Sequence, residues 1–228
     1  WLIKWYYWRF IDSDRPESDT GTATGLGHLG TVTRVRMSNV HSGSLGGWFD
    51  TDYRWMADPA IAGCGAFGDL GTHRLDIMLW LMGDPVHVQA HAGTLVHAIE
   101  VEDTLTASLR FAGGALGTIT AATTAGPGFP RRVEVYGTNG GIQLEGDTVT
   151  RWTLVDEARQ TVTPPAADGA VAAGGSSDPM GIGRASHVAL FRDFVQAVYA
   201  DRPPLIDGQE GRRSLAVVQA VYTAAGLR

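Results

Sequence analysis

The apolar positions of this chain follow a strand period, then a helix period, then strands again, and finally helices. Residues 31–37 read as a strand through Val32, Val35 and Met37. A loop over 43–59 leads to the glycine-dense run 63–71. From there Leu70, Leu75, Met78, Leu79 and Met82 recur with helical spacing until Gly83-Asp84-Pro85 stops them. Residues 86–95 alternate, and 103–111 do so more cleanly through Leu105, Ala107, Leu109 and Phe111. Phe111-Ala112-Gly113-Gly114-Ala115 predicts a hairpin into a strand over 116–122. Further strands are expected over 131–136, 141–145, 148–155 and 160–163, making an antiparallel meander. Residues 164–183, rich in Ala, Gly, Ser and Pro, read as a long loop. Helices over 187–199 and 211–227 close the chain, the first striped by Val188, Phe191, Phe194, Val195 and Val198.

This order predicts an α+β fold: one largely antiparallel sheet, with the 69–82 helix and the two closing helices on one face. Strands 103–111 and 116–122 carry enough apolar residues to predict a large apolar patch on the other face, and self-association through it.

The central helix carries the candidate chemistry. Asp69 and His73 are four residues apart, so on a helix they share a face, and Asp76 borders it. A carboxylate beside an imidazole fixes its tautomer and raises its basicity. A helix entered through glycines also leaves backbone N–H groups free for a ligand oxygen. The plainer alternative is a surface contact worth ~0.3 kcal/mol. With the cleft open to water, the carboxylate is expected to raise the His73 pKa.

Other features narrow the function. Net charge is −6 without acidic blocks, which disfavours a nucleic-acid partner. No apolar run is long enough for a transmembrane helix. The lone Cys64 excludes an internal disulfide and a cysteine-rich zinc site, and a reducing cytoplasm fits. Residues 1–10 place five aromatics in the first eight positions, which reads as a buried strand and not as a secretory signal. His87, His91 and His97 do not form a metal-ligand pattern. Gly25-Leu26-Gly27-His28-Leu29-Gly30 matches G-x-G-x-x-G in letters, but a polar loop precedes it and a strand follows. It is rejected as a nucleotide site, because that motif needs a strand before it and a helix after it. Trp48, Phe49, Tyr53, Arg54 and Trp55 precede the central glycines and suit either sugar stacking or covering the core.

From about residue 25 onward the chain resembles the C-terminal half of the glucose–fructose oxidoreductase, inositol dehydrogenase and MocA family of NAD(P)-dependent oxidoreductases. Gly27-His28-Leu29-Gly30-Thr31-Val32 is similar to its entry strand. Residues 63–76 resemble its glycine-rich D-x-x-x-H-x-x-D segment, although Cys64 stands where glycine is usual. Val135-Tyr136-Gly137-Thr138-Asn139-Gly140-Gly141 resembles its hairpin signature, and residues 194–211 resemble its closing helices.

The resemblance implies a catalytic pair: His73 exchanging a proton with a substrate hydroxyl while the cofactor takes a hydride, and Asp69 orienting His73 and touching the sugar. Arg54, Trp55, Asp76 and His187 are the substrate contacts expected with them. The substrate is a sugar or polyol, and the cofactor is NAD or NADP in the full-length family. The family's catalytic lysine lies in a Glu-Lys-Pro segment of a separate N-terminal Rossmann domain. Lys4, the only lysine here, lacks both neighbours and is not equated with it. Residues 1–24 are expected to be a remnant of that domain or a linker. Residues 25–228 are expected to form the substrate-binding and oligomerisation domain, with no cofactor bound and no turnover by itself. A non-catalytic binding or oligomerisation module of the same ancestry is the alternative.

Overall fold

A computed structural model describes residues 29–43, 47, 52–146, 148–155 and 185–227. The expectations for residues 1–24, 160–163 and 164–183 lie outside them. One seven-stranded sheet organises the chain: β1 (Val32–Val40), β2 (Pro85–Gly93), β3 (Thr104–Phe111), β4 (Leu116–Ala122), β5 (Arg132–Gly137), β6 (Gly140–Glu145) and β7 (Thr148–Leu154). Their spatial order is β2-β3-β4-β1-β5-β6-β7. The sheet is largely antiparallel, as the alternating pattern predicts. The exception is β1, which lies between β4 and β5 and runs parallel to β4, with Met37 opposite Ile119. A simple meander is therefore corrected. Val35 and Met37 are fully covered, which suits a central strand rather than an edge.

The short helix α1 (Pro59–Ala62) precedes the glycine run, and α2 (Thr72–Met82) follows it. Leu75, Met78 and Leu79 of α2 are buried with Val35, Leu105, Leu109, Phe111 and Ile119 of the sheet. The fit is close at Gly117, where a Cβ would lie 2.9 Å from both the Met78 sulfur and the Phe111 ring. Gly83 ends the helix with φ of 80°, a conformation glycine adopts without strain.

The closing helices are α3 (Ala185–Tyr199) and α4 (Gly208–Ala224). Asp207 caps α4, its Oδ1 accepting from the N–H groups of Gln209 and Glu210. Val218, Val221 and Tyr222 join α4 to the core. The expectation that both closing helices cover the sheet is corrected for α3. Its predicted stripe, Val188, Phe191, Phe194, Val195 and Val198, is exposed, and Ala197 is its only buried residue among those described. With α2 and α4 already packed on the sheet, α3 is instead tied to the segment after it: Asp193 accepts from Arg202 and from the Leu205 N–H.

The open face of the sheet also differs from expectation. In β3 the apolar residues all point to the covered side, leaving Thr106, Ser108 and Arg110 outward. On β1, β5 and β6 the outward side chains form a polar network. Tyr136 donates to Glu134 and accepts from Gln143, Arg36 pairs with Glu134, and Arg34 stacks over the Tyr136 ring. Among the described residues β3 and β4 expose Leu116 and no large apolar patch. The alternation is strict enough to put Thr, Ser and Arg where exposed apolar residues were expected. No helix among the described residues is long and apolar enough to cross a membrane.

Candidate active site

The glycine run does not enter α2 as a regular α-helix. Residues Phe67–Gly71 form a single wide π turn, and α2 continues from Thr72. Its N-terminal end is closed by protein groups. The Ala66 N–H donates to the Glu102 carbonyl and the Phe67 N–H to Glu102 Oε1, each at 2.9 Å. The Gly68 N–H donates to the Tyr222 hydroxyl at 2.8 Å, and that hydroxyl donates to Glu102 Oε1 at 2.7 Å. The expectation of backbone N–H groups left free for a ligand is therefore corrected at these positions: an internal carboxylate and a phenol already occupy them.

Behind the turn, Asn39 of β1 donates to the Leu70 carbonyl, and Thr72 Oγ1 donates to the Gly68 carbonyl at 2.6 Å. Two glycines are required by contact. A Cβ on Gly65 would sit 2.2 Å from the Glu102 carbonyl oxygen, and one on Gly71 would sit 2.5 Å from the Phe67 ring.

Asp69, His73 and Asp76 meet at one cleft of about 400 Å³, lined also by Gly68, Thr72, Gly211, Ser214 and Leu215. The wall facing α2 is α4. Asp76 is buried at the base and accepts from the Ser214 hydroxyl at 2.5 Å. Asp69 and His73 are exposed at the cleft mouth.

The electrostatics correct two expectations. The His73 pKa is lowered to about 4, not raised. Desolvation by the cleft walls is the largest cause, and the positive charges of Arg74 and Arg131 add to it. The carboxylate that opposes the shift is Asp76, three residues on, and not Asp69. No hydrogen bond joins Asp69 to His73 among the described residues. Burial raises the Asp69 pKa.

Of the expected substrate contacts, Asp76 lies in the cleft. Arg54 and Trp55 do not line it; they occupy a short 3₁₀ turn, Arg54–Ala57. There the Trp55 carbonyl accepts from the Asp58 N–H, and Asp58 caps α1. His187 falls in α3, and its side chain lies outside the described residues. No group of three His, Cys, Asp or Glu among the described residues is placed to hold a metal.

Three residues were missed by sequence reasoning: Ser214, Glu102 and Tyr222. Ser214 shares a helical face with the buried Val218, Val221 and Tyr222, and a polar residue on such a face is a readable signal. Glu102 carries a weaker one, as half of a buried Glu102-Asp103 doublet just before β3.

Comparison with known proteins adds independent information. The profile of the GFO/IDH/MocA C-terminal domain matches residues 25–143, just over half of the chain. The chain is 27% identical over 159 residues to myo-inositol 2-dehydrogenase of Thermotoga maritima, covering 66% of this chain and 44% of that protein. It is 30% identical over 162 residues to D-apiose dehydrogenase of Paraburkholderia graminis, covering 69% and 42% respectively. The chain thus spans less than half the length of the curated relatives it matches. Among solved structures it resembles the WlbA dehydrogenase of Bordetella pertussis in complex with NADH and UDP-GlcNAcA. That match has a TM-score of 0.65 at 25% identity, covering 87% of this chain and 53% of that one.

Proposed function

Because the chain belongs to the GFO/IDH/MocA C-terminal domain family, we propose that it is the substrate-side domain of an NAD(P)-dependent oxidoreductase. Such an enzyme oxidises a secondary hydroxyl of a sugar or polyol. The observation that carries this reading is the convergence of Asp69, His73 and Asp76 on one cleft. The relatives named for inositol and apiose suggest the substrate class.

In this reading a neutral His73 ring nitrogen accepts the proton of the substrate hydroxyl. Burial makes the imidazolium costly, and Asp76 compensates in part, so the proton is held briefly and passed on through the exposed edge of the ring. Asp69 accepts a hydrogen bond from a neighbouring substrate hydroxyl. Ser214 keeps Asp76 turned toward the histidine side of the cleft.

A nicotinamide, when bound, supplies the hydride acceptor. The described residues do not fit its pyrophosphate: Gly30 leads into β1 and not into a helix, and the N–H groups at the π turn are taken. The cofactor is therefore assigned to a separate nucleotide-binding domain, and residues 25–228 to the substrate.

NMR titration of the 228-residue chain with myo-inositol and with neutral aldoses tests the reading. A saturable shift of the His73 ring signals, lost in Asp69→Ala, is expected. Unmoved His73 signals with every polyol tried would refute it.

A further inference from the structure

We infer that Glu102 and Tyr222 are positioning residues for the cleft: by taking the N–H groups of Phe67 and Gly68 they hold the wide turn that carries Asp69 beside His73. The inference rests on the reading of this cleft as the substrate site, and it adds two residues that line none of it.

The π turn is the less favourable winding. A chain entering α2 without restraint would close i to i+4 hydrogen bonds and turn regularly. Such a tightening would displace Asp69 along the cleft wall while leaving it on the His73 face. The wider form is held where carbonyls leave the regular ladder, Thr72 Oγ1 taking that of Gly68 and Asn39 that of Leu70. Glu102 and Tyr222 fix the first turn in place by its otherwise unpaired N–H groups. Glu102 comes from the stretch before β3, Tyr222 from α4, and Asn39 from β1.

Glu102 is itself fixed. Its neighbour Asp103 is buried and accepts from the N–H groups of Leu95, Val96 and His97, at 2.8 to 3.0 Å. Its carbonyl holds Ala66, so both its backbone and its side chain bind the entry to the turn. A carboxylate at the N-terminal end of a helix is also favoured by the helix dipole.

Tyr222 is oriented by an edge-to-face contact with Phe67, ring centroids 6.0 Å apart and planes at 89°. Its phenol is driven far above the usual range, first by burial and then by the Glu102 charge. The hydroxyl therefore stays protonated: it donates to Glu102 and accepts from Gly68 at any pH the protein survives. Gly65 completes the arrangement, because only a glycine allows the chain this close to Glu102.

Tyr222→Phe separates positioning from packing, since it keeps the ring on Phe67 and deletes only the hydroxyl. The test is made on the 228-residue chain without substrate or cofactor, so a failed substrate assignment leaves its outcome readable. NMR follows the Asp69 carboxyl and His73 ring titrations, with the amides of β3 and β4 as the packing control. Arg74, Arg131 and Asp76 bear on the His73 titration, and Asp69 faces the Cys64 thiol, which Glu102 also affects. Tyr222→Phe is expected to move the Asp69 titration by at least ~0.5 pH unit toward the ordinary carboxylate value. It should also speed exchange of the Gly68 amide at least ~10-fold while the control amides hold.

Glu102→Gln keeps the acceptor oxygen and is expected to behave like the parent in Gly68 exchange. Glu102→Ala is expected to behave like Tyr222→Phe. Unchanged Asp69 and His73 titrations in both Tyr222→Phe and Glu102→Ala would overturn the inference. So would a general shift of the β3 and β4 amides in both.

Discussion

The hydroxyl of Ser214 on α4 donates to Oδ1 of Asp76 on α2 at 2.5 Å, between two buried side chains. It is one rung of a ladder between two antiparallel helices. Tyr222 meets Gly68 at one end, Ser214 meets Asp76 in the middle, and Arg213 donates to the Leu79 carbonyl and pairs with Asp84 at the other. Charge-assisted and buried, the Ser214 rung should be worth more than an ordinary hydrogen bond. Ser214→Ala is expected to cost about 1–3 kcal/mol, because the buried Asp76 carboxylate loses a charge-assisted donor. Urea unfolding of parent and variant with equal m-values checks this, and a loss below about 0.5 kcal/mol would count against it.

His73 sets a pH dependence. Its folded pKa of about 4 lies below the unfolded value of 6.5. Between those values the unfolded chain binds the proton and the folded chain does not. Stability attributable to His73 is therefore complete above about pH 6.5 and falls as the pH drops toward 4. NMR titration should place the His73 midpoint below that of an unfolded peptide. Asp76→Asn should lower it further by removing the favourable charge, whereas Asp69→Asn should move it less. The reverse ranking of the two variants would restore Asp69 as the dominant partner.

The same contrast shows what the sequence can and cannot reveal. Spacing brought Asp69, His73 and Asp76 to one cleft, because helical periodicity survives even with a wide turn inserted. It could not say which carboxylate governs the histidine, since that depends on the walls around the ring. Alternation in 103–111 made β3 legible to within one residue. The parallel seat of β1 beside β4 was not, because strand order is decided by tertiary packing that no local pattern records. The stripe on α3 was equally clear, yet periodicity alone does not say whether a helix finds a surface to cover it. Ser214 and Tyr222 act through contacts more than 130 residues away in sequence, and Glu102 through one 35 residues away. Nothing near them announces the partner.

Asp103 anchors the stretch that delivers Glu102. Burial pushes its carboxyl pKa up, but the N–H groups of Leu95, His97 and Val96 outweigh that and hold it below the ordinary value. The stabilisation is present above the unfolded carboxylate pKa and is lost as the pH falls through the lower folded one. Asp103→Ala is expected to destabilise the chain by about 1–3 kcal/mol by leaving buried donors unpaired. Thermal melting at pH 7 checks it. A melting temperature within a degree or so of the parent would argue that water replaces the carboxylate.

The division of labour between substrate and cofactor can be tested most directly. If the nicotinamide cofactor belongs to another domain, the 228-residue chain should show no micromolar affinity for NADH or NADPH. The physical ground is specific. Tight pyrophosphate binding needs a strand, a glycine loop and a helix whose first N–H groups are open to the ligand. Here the described glycine turn before α2 has its N–H groups spent on Glu102 and Tyr222, and Gly30 opens onto β1. Calorimetric titration of the chain with each dinucleotide, beside a polyol titration on the same sample, reads both sides of the assignment. A polyol isotherm with flat dinucleotide traces is the expected pair. Micromolar binding of either dinucleotide, with or without polyol, would place a nucleotide site within this chain and overturn the assignment.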